Sequence, residues 1–179
     1  MSTRLRSLFL VALMVSMVAG SATAAELTAP AERPSVSDFT LTNLEGKRVK
    51  LSSLTGKVVL VSFWATWCAP CKQELPFLDT FAARYADKGL VVLAISTDGP
   101  KSASEVRRTL SSKGLKLPVL LDGEGEVSKR LNPASAMPYT LYLDRTGKKA
   151  ADHEGFSPGD EVGIEARIVA LLAESAPKP

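Results

Sequence analysis

The sequence feature that most constrains the fold is an almost uninterrupted apolar run at residues 57–64. A run of this length without polar alternation is typical of a strand that is buried on both faces. A second apolar run occupies residues 90–96, and the segment between the two carries its apolar residues at helical spacing. Strands that alternate with helices predict an α/β sheet that is covered by helices on both faces.

Weaker patterns extend this arrangement along the chain in both directions. Alternating residues at 38–42 and 47–51 flank a turn and predict an amino-terminal β-hairpin. Asp160 is expected to cap a last helix with an apolar stripe. After the hairpin, the predicted strands lie at 57–64, 90–96, 117–121, 139–143 and 148–153. The first predicted helix follows the strand at 57–64 and ends near Gly89. Further helices are predicted at 102–113, at 126–131 and after Asp160.

The amino terminus has the layout of a secretory signal peptide. Two arginines precede an apolar run at residues 8–19, and Ala22-Thr23-Ala24 offers small residues for cleavage. The run is shorter than the roughly 20 residues that a membrane-spanning helix needs. We therefore predict export to the periplasm, or to the exterior of a Gram-positive cell. The predicted organisation is a signal peptide at 1–24, a loose leader at 25–37, one domain at 38–174 and a disordered tail at 175–179.

Charge and residue counts exclude several classes of function. Lys and Arg number 22 and Asp and Glu number 19, so the net charge is only +3 and nucleic-acid binding is not expected. The single histidine argues against catalytic zinc sites, most of which use several. The two cysteines are too few for a disulfide-stapled miniprotein. Neither a metal nor another cofactor is expected.

The chemistry of the chain is concentrated in Cys68-Ala69-Pro70-Cys71, which opens the helix after the first apolar strand. Unpaired backbone N–H groups and the helix dipole at this end favour a thiolate at Cys68, the attacking form of a thiol. Cys71 lies one turn further on and can resolve a mixed disulfide formed at Cys68. Two alternatives are a structural disulfide, which would add little stability across so short a loop, and half of a zinc site, although the chain has no second such pair.

The residues around this pair resemble a known family. Residues 63–71, Phe-Trp-Ala-Thr-Trp-Cys-Ala-Pro-Cys, resemble the active-site strand and loop of thioredoxin, and residues 72–76, Lys-Gln-Glu-Leu-Pro, resemble the TlpA/ResA-like branch of exported thiol:disulfide oxidoreductases. The resemblance covers residues 36–173. It implies a thioredoxin-like fold, in which helices flank a central mixed sheet, with an amino-terminal β-hairpin and an inserted helix–strand element. It also implies a redox-active disulfide between Cys68 and Cys71.

The resemblance assigns expected roles to residues outside the cysteine pair. Pro138 matches the cis-proline of the family, so the Met137–Pro138 bond is expected to be cis. The backbone of Met137 is then expected to pair with an extended client segment. Trp67 and Pro70 are expected to lie on the face that meets the client.

Glu74 is the expected proton acceptor for Cys71. General thioredoxins carry a buried aspartate in the strand before the cysteines, where this chain has Ser62. Glu74 follows Cys71 by three residues, so one helical turn places it under the pair. TlpA/ResA-like proteins carry a glutamate at this place. The alternative is a solvated glutamate on the helix surface.

The resemblance implies an exported enzyme that reduces disulfides in client proteins, in cytochrome c maturation or a related pathway. A membrane electron donor is expected to keep it reduced, because its compartment is oxidising. Two alternatives share the fold. A peroxiredoxin-like peroxidase would use Thr66 two residues before Cys68, and a copper chaperone would add His153 to the two cysteines. The spacing of the cysteines favours the oxidoreductase.

Overall fold

The computed structural model describes residues 26–175 of the chain. The predicted signal peptide at 1–24 and residues 176–179 of the predicted tail lie outside the described residues. Between residues 26 and 175, no helix is both long enough and apolar enough to cross a membrane.

A single mixed sheet forms the centre of the described part of the chain. Its strands are β1 (Thr40–Asn43), β2 (Arg48–Lys50), β3 (Val58–Trp64), β4 (Leu90–Ser96), β5 (Val119–Leu121), β6 (Tyr139–Leu143) and β7 (Lys149–Glu154). Their order across the sheet is β2-β1-β5-β4-β3-β6-β7. The pairs β3–β4 and β4–β5 are parallel, whereas β1–β2, β1–β5, β3–β6 and β6–β7 are antiparallel. The predicted hairpin is β1 and β2.

Helices cover both faces of this sheet, as predicted. They are α1 (Ala69–Tyr85), α2 (Ala103–Ser112), α3 (Glu126–Leu131) and α4 (Asp160–Ala173). Apolar residues of α1, α2 and α4 form one buried cluster with the sheet, and α3 contributes Val127 to the cluster on the opposite face. The thioredoxin-like α/β fold is therefore confirmed, with α2 and β5 as the helix–strand insertion.

The strand β3 is buried along its whole length, which confirms the interpretation of the apolar run. Leu60 and Trp64 belong to the cluster under α1, whereas Val61 and Phe63 belong to the cluster on the other face. Because side chains alternate along a strand, Ser62 faces α1. This alternation brings one polar side chain of β3 under the helix that carries the cysteines.

Two element boundaries differ from the predictions. The strand predicted at 117–121 begins at Val119, because Pro118 has no N–H to contribute to a strand ladder. The predicted cap at Asp160 is wrong by one position: Gly159 is the N-cap of α4, with a φ of 107° that favours glycine. Asp160 is instead the first helical residue, and its Oδ2 accepts the N–H of Ser157 at 2.7 Å.

The prediction of a loose leader at 25–37 is wrong for its described part. Arg33 is only 5% exposed, and its side chain forms hydrogen bonds to residues near the start and near the end of the described chain. It donates to Asp144 Oδ2 at 3.1 Å and to the two carboxylate oxygens of Glu174 at 2.7 and 2.6 Å, while its Nε donates to the carbonyl of Thr28. These hydrogen bonds raise the pKa of Arg33 above its ordinary value. The composition of this segment gave no sign of a buried arginine whose two carboxylate partners lie more than 100 residues away along the chain.

We expect the Arg33→Gln variant to be less stable by about 2 kcal/mol, because it removes charge-assisted hydrogen bonds from a buried carboxylate at Asp144. Urea unfolding followed by circular dichroism measures the loss. The matched control is Arg84→Gln, since Arg84 also pairs with a glutamate, Glu165, but is half-exposed. Its unfolding midpoint is expected to stay at the wild-type value. Equal midpoints for the two variants would contradict the role assigned to Arg33.

Candidate active site

The two cysteines form a disulfide where β3 gives way to α1. The bond joins Cys68 and Cys71, whose Cα atoms are 5.3 Å apart. Cys68 is the N-cap residue of α1, with an extended backbone, and its Sγ accepts the N–H of Cys71 at 3.2 Å. Pro70 lies in the first helical turn, where a missing N–H costs the helix no hydrogen bond. The predicted disulfide and its place at the helix start are both present.

Exposure distinguishes the two sulfur-bearing residues. Cys68 is 4% exposed and Cys71 is completely buried. Trp67, which immediately precedes Cys68, is 70% exposed, and Pro70 is half-buried. An attacking nucleophile has to be reached by a partner, whereas a resolving thiol does not. The arrangement therefore favours Cys68 as the residue that a client meets first.

The segment before β6 packs against the buried cluster to which both cysteines belong. The Met137–Pro138 bond is cis, as expected. Met137 packs against the buried cluster that contains both cysteines, and Thr97 Oγ1 lies 3.9 Å from its sulfur. The side chain of Asn132, which is 2% exposed, fixes the backbone of this segment by two hydrogen bonds. It donates to the carbonyl of Ala136 at 2.8 Å and accepts the N–H of Ala136 at 3.1 Å.

Glu74 is completely buried under the cysteine pair, so the alternative of a solvated glutamate is wrong. Ser62 Oγ donates to its Oε2 and Thr140 Oγ1 donates to its Oε1, each at 3.0 Å. Ser62 and Thr140 are paired across β3 and β6, so their hydroxyls lie side by side on the face under α1. Burial raises the pKa of Glu74 to about 7, although the two hydrogen bonds act in the opposite direction. At neutral pH this carboxyl can therefore both take up and release a proton.

Two polar residues of the site could not be assigned from the sequence. Thr140 sits in a run of apolar residues, where a lone threonine is unremarkable in a strand. Asp98 follows the strand β4 and is 8% exposed, with Thr66 among its donors. The only sequence signal for Asp98 is its position just beyond a buried strand, at the edge of the sheet where functional loops of α/β folds gather.

His153 lies on β7, with Nε2 at 3.6 Å from Asp160 Oδ2. Between residues 26 and 175, no group of three or more His, Cys, Asp and Glu side chains is arranged to hold a metal ion. His153 therefore lies on the outermost strand of the sheet, which β6 separates from β3, the strand that leads to the cysteine pair.

Comparison with known proteins identifies relatives of this chain. A sequence profile described as the AhpC/TSA family matches residues 34–152. A Bacillus thuringiensis subsp. konkukian protein named thiol-disulfide oxidoreductase ResA is 33% identical over 118 residues, which are 66% of each chain. The thioredoxin-like protein YneN of Bacillus subtilis is 39% identical over 118 residues, which are 66% of this chain and 68% of YneN. The chain thus spans about two thirds of the length of these curated relatives.

A solved structure agrees with these relatives over a larger part of the fold. It comes from Chlorobium tepidum and is provisionally named thiol:disulfide interchange protein DsbE. It superposes with a TM-score of 0.73 at 35% identity and covers 79% of this chain and 97% of its own. By its matched profile, its relatives and its thioredoxin-like architecture, the chain belongs to the AhpC/TSA family, among the thioredoxin-fold relatives of the ResA thiol-disulfide oxidoreductases.

Proposed function

We propose that this protein is an exported thiol:disulfide oxidoreductase that reduces disulfides in client proteins. The observation that carries the proposal is the Cys68–Cys71 disulfide at the amino terminus of α1, with its outer cysteine beside the exposed Trp67. A pair of thiols in the first turn of a helix can cycle between dithiol and disulfide without moving the rest of the fold. The names of the ResA and DsbE relatives support the same activity.

In the proposed cycle the reduced protein donates two electrons to a client. The Cys68 thiolate attacks one sulfur of the client disulfide, so that a mixed disulfide forms and the other client sulfur leaves as a thiolate. The Cys71 thiolate then attacks Cys68 Sγ, which breaks the mixed disulfide and releases the second client thiolate. The client is reduced, and the Cys68–Cys71 disulfide is formed again.

Glu74 is the proposed proton acceptor in the second step. The Cys71 thiol has to lose its proton before it attacks, and it is completely buried away from solvent bases. Glu74 lies one helical turn from Cys71, and its pKa of about 7 leaves a large ionised fraction at neutral pH. Ser62 and Thr140 hold the carboxyl in place by their hydrogen bonds.

The direction of electron flow is proposed to be that of a reductase. Strong oxidants stabilise the reduced thiolate, often with a histidine beside it. Here Ala69 and Pro70 lie between the cysteines and offer neither a charge nor a side-chain donor. A carboxylate at Glu74 opposes a second negative charge nearby, which favours the disulfide over the thiolate.

A redox titration tests this direction. We expect the Cys68–Cys71 pair to remain oxidised in glutathione buffers and to open only with dithiothreitol, because its thiolate receives no help beyond the helix terminus. Alkylation of free thiols followed by mass spectrometry reads the oxidised fraction. A midpoint potential of about −120 mV, the range of strong disulfide-forming oxidants, would contradict the proposed direction.

The setting of the reaction rests on the sequence and the relatives. Export to the periplasm, or to the outside of a Gram-positive cell, places the protein where oxidants are abundant, so a membrane electron donor has to restore the dithiol. Cytochrome c maturation or a related pathway is the proposed context. Thiol trapping in an extracytoplasmic extract would identify the clients.

The geometry disfavours the peroxidase alternative. In such an enzyme the threonine two residues before the cysteine serves the reacting sulfur. Here Thr66 Oγ1 donates to Asp98 Oδ1 at 2.7 Å, and Cys68 is paired with a cysteine only three residues away. Turnover of hydrogen peroxide by the reduced protein at the rate of client disulfide reduction would favour the peroxidase instead.

A further inference from the structure

A buried carboxylate fastens the loop that carries the cysteines. The loop 65–67 joins β3 to α1, and Asp98 lies two residues beyond the end of β4, the parallel neighbour of β3. Thr66 donates to Asp98 twice: its backbone N–H lies 3.0 Å from Oδ2, and its hydroxyl lies 2.7 Å from Oδ1. Ser96 Oγ donates to Oδ2 at 2.8 Å. The carboxylate thus accepts from the loop on one side and from its own strand on the other.

Neighbouring backbone hydrogen bonds connect the Asp98–Thr66 contact to the position of Cys68. The N–H of Thr97 donates to the carbonyl of Trp64 at 2.9 Å. The segment after β4 therefore forms hydrogen bonds to the residue before Ala65, through Thr97, and to the residue after it, through Asp98. The N–H of Cys68 donates to the carbonyl of Ala65 at 3.1 Å, which closes the loop into a turn. Among residues 65–67, Thr66 is the residue whose side chain forms a hydrogen bond. The turn that follows Thr66 sets the position of Cys68 relative to the first turn of α1.

We propose that Asp98 is a positioning residue for thiol–disulfide exchange. By holding Thr66 it keeps Cys68 at the N-cap of α1, where the N–H of Cys71 reaches its sulfur and the helix terminus favours the thiolate. The role in exchange rests on the proposed function. The effect on the Cys68 thiolate does not, because the thiolate forms whether or not a client is present.

The test follows the alkylation of Cys68 by iodoacetamide against pH in the reduced protein, with variants Asp98→Asn and Thr66→Val. Each removes part of the fastening, so the midpoint of alkylation is expected to rise by about half a pH unit in both variants, as the helix terminus loses its alignment with Cys68. The double variant is expected to rise no further than either single variant, since both break the same contact. Thr66→Ser, which retains the hydroxyl, is expected to keep the wild-type midpoint.

Asp122→Asn is the matched control. Asp122 is also a buried aspartate, 3% exposed, that accepts backbone N–H groups, but it serves the start of α3 through Val127 and Ser128. This variant is expected to lose stability and to keep the midpoint. A midpoint unchanged in Asp98→Asn, or unchanged in Thr66→Val, would overturn the proposal. A downward shift in Asp98→Asn alone would also overturn it, because the aspartate would then act through its charge and not through Thr66.

Insulin reduction by the same proteins separates the two proposals. At a pH well below both midpoints, the half-unit shift predicts about a threefold slower reduction by Asp98→Asn than by the wild-type protein, in proportion to the thiolate fraction. A wild-type protein that alkylates normally but does not reduce insulin or another protein disulfide would count against the proposed function. The role of Asp98 would then be decided by the shift in the alkylation midpoint alone.

Discussion

Cys71→Ser is expected to accumulate client proteins as stable mixed disulfides, whereas Cys68→Ser is expected to abolish both capture and turnover. Cys68 is the outer cysteine, and its sulfur lies at the helix terminus that favours a thiolate. Without Cys71, the mixed disulfide at Cys68 has no neighbouring thiol to resolve it. Without Cys68, the remaining thiol is completely buried and meets no client.

Non-reducing electrophoresis after acid quenching measures the trapped species, and an insulin assay measures turnover. Both variants are expected to turn over at least about a thousandfold more slowly than the wild-type protein, because loss of a reacting nucleophile removes the chemical step itself. Val162→Ala serves as a control away from the cysteines, since Val162 is an exposed residue of α4 and the variant keeps both thiols; it is expected to turn over at the wild-type rate. Capture by Cys68→Ser but not by Cys71→Ser would reverse the assigned roles.

Glu74→Gln is expected to remove a pH dependence from the stability of the oxidised protein. The pKa of Glu74 is about 7 in the folded protein because of burial, against an ordinary value of 4.5. The folded state therefore keeps a proton that the unfolded chain releases, and stability falls as the pH rises from about 4.5 through about 7. The full loss, reached above this window, is about 3 kcal/mol. A glutamine has no proton to lose, so the variant is expected to be the more stable protein at pH 8.

Urea unfolding of the oxidised protein at pH 5, 6, 7 and 8 measures this difference. Glu105→Gln provides a control, because it makes the same chemical change at an exposed residue of α2. Kinetics adds a second measurement: the resolving step of Glu74→Gln is expected to lose its rise between pH 6 and 8, since Cys71 has lost its proton acceptor. Parallel stability curves for Glu74→Gln and the wild-type protein would show that Glu74 does not titrate in the fold.

The sequence alone determined the elements of this fold and the place of its chemistry. The apolar run at 57–64 is β3, the helical stripe is α1, and the short helix at 126–131 is α3 with the predicted bounds. Such patterns are local, because hydrophobic periodicity reports which face of a segment is buried. The cysteine pair at a helix start is local in the same way, and resemblance to a family located the cis bond before Pro138.

The tertiary structure alone decided what the buried polar groups do. Glu74 meets Ser62 and Thr140, which lie 12 and 66 residues away in the chain, and only the antiparallel pairing of β3 with β6 brings them together. Thr66 reaches Asp98 across 32 residues because β3 and β4 are parallel neighbours. Periodicity shows that a segment has a buried face, but not which strand lies beside it. A carboxyl in a helix pattern is therefore indistinguishable from a solvated one until strand order and register supply its partners, and burial among them is what moves its pKa toward neutrality.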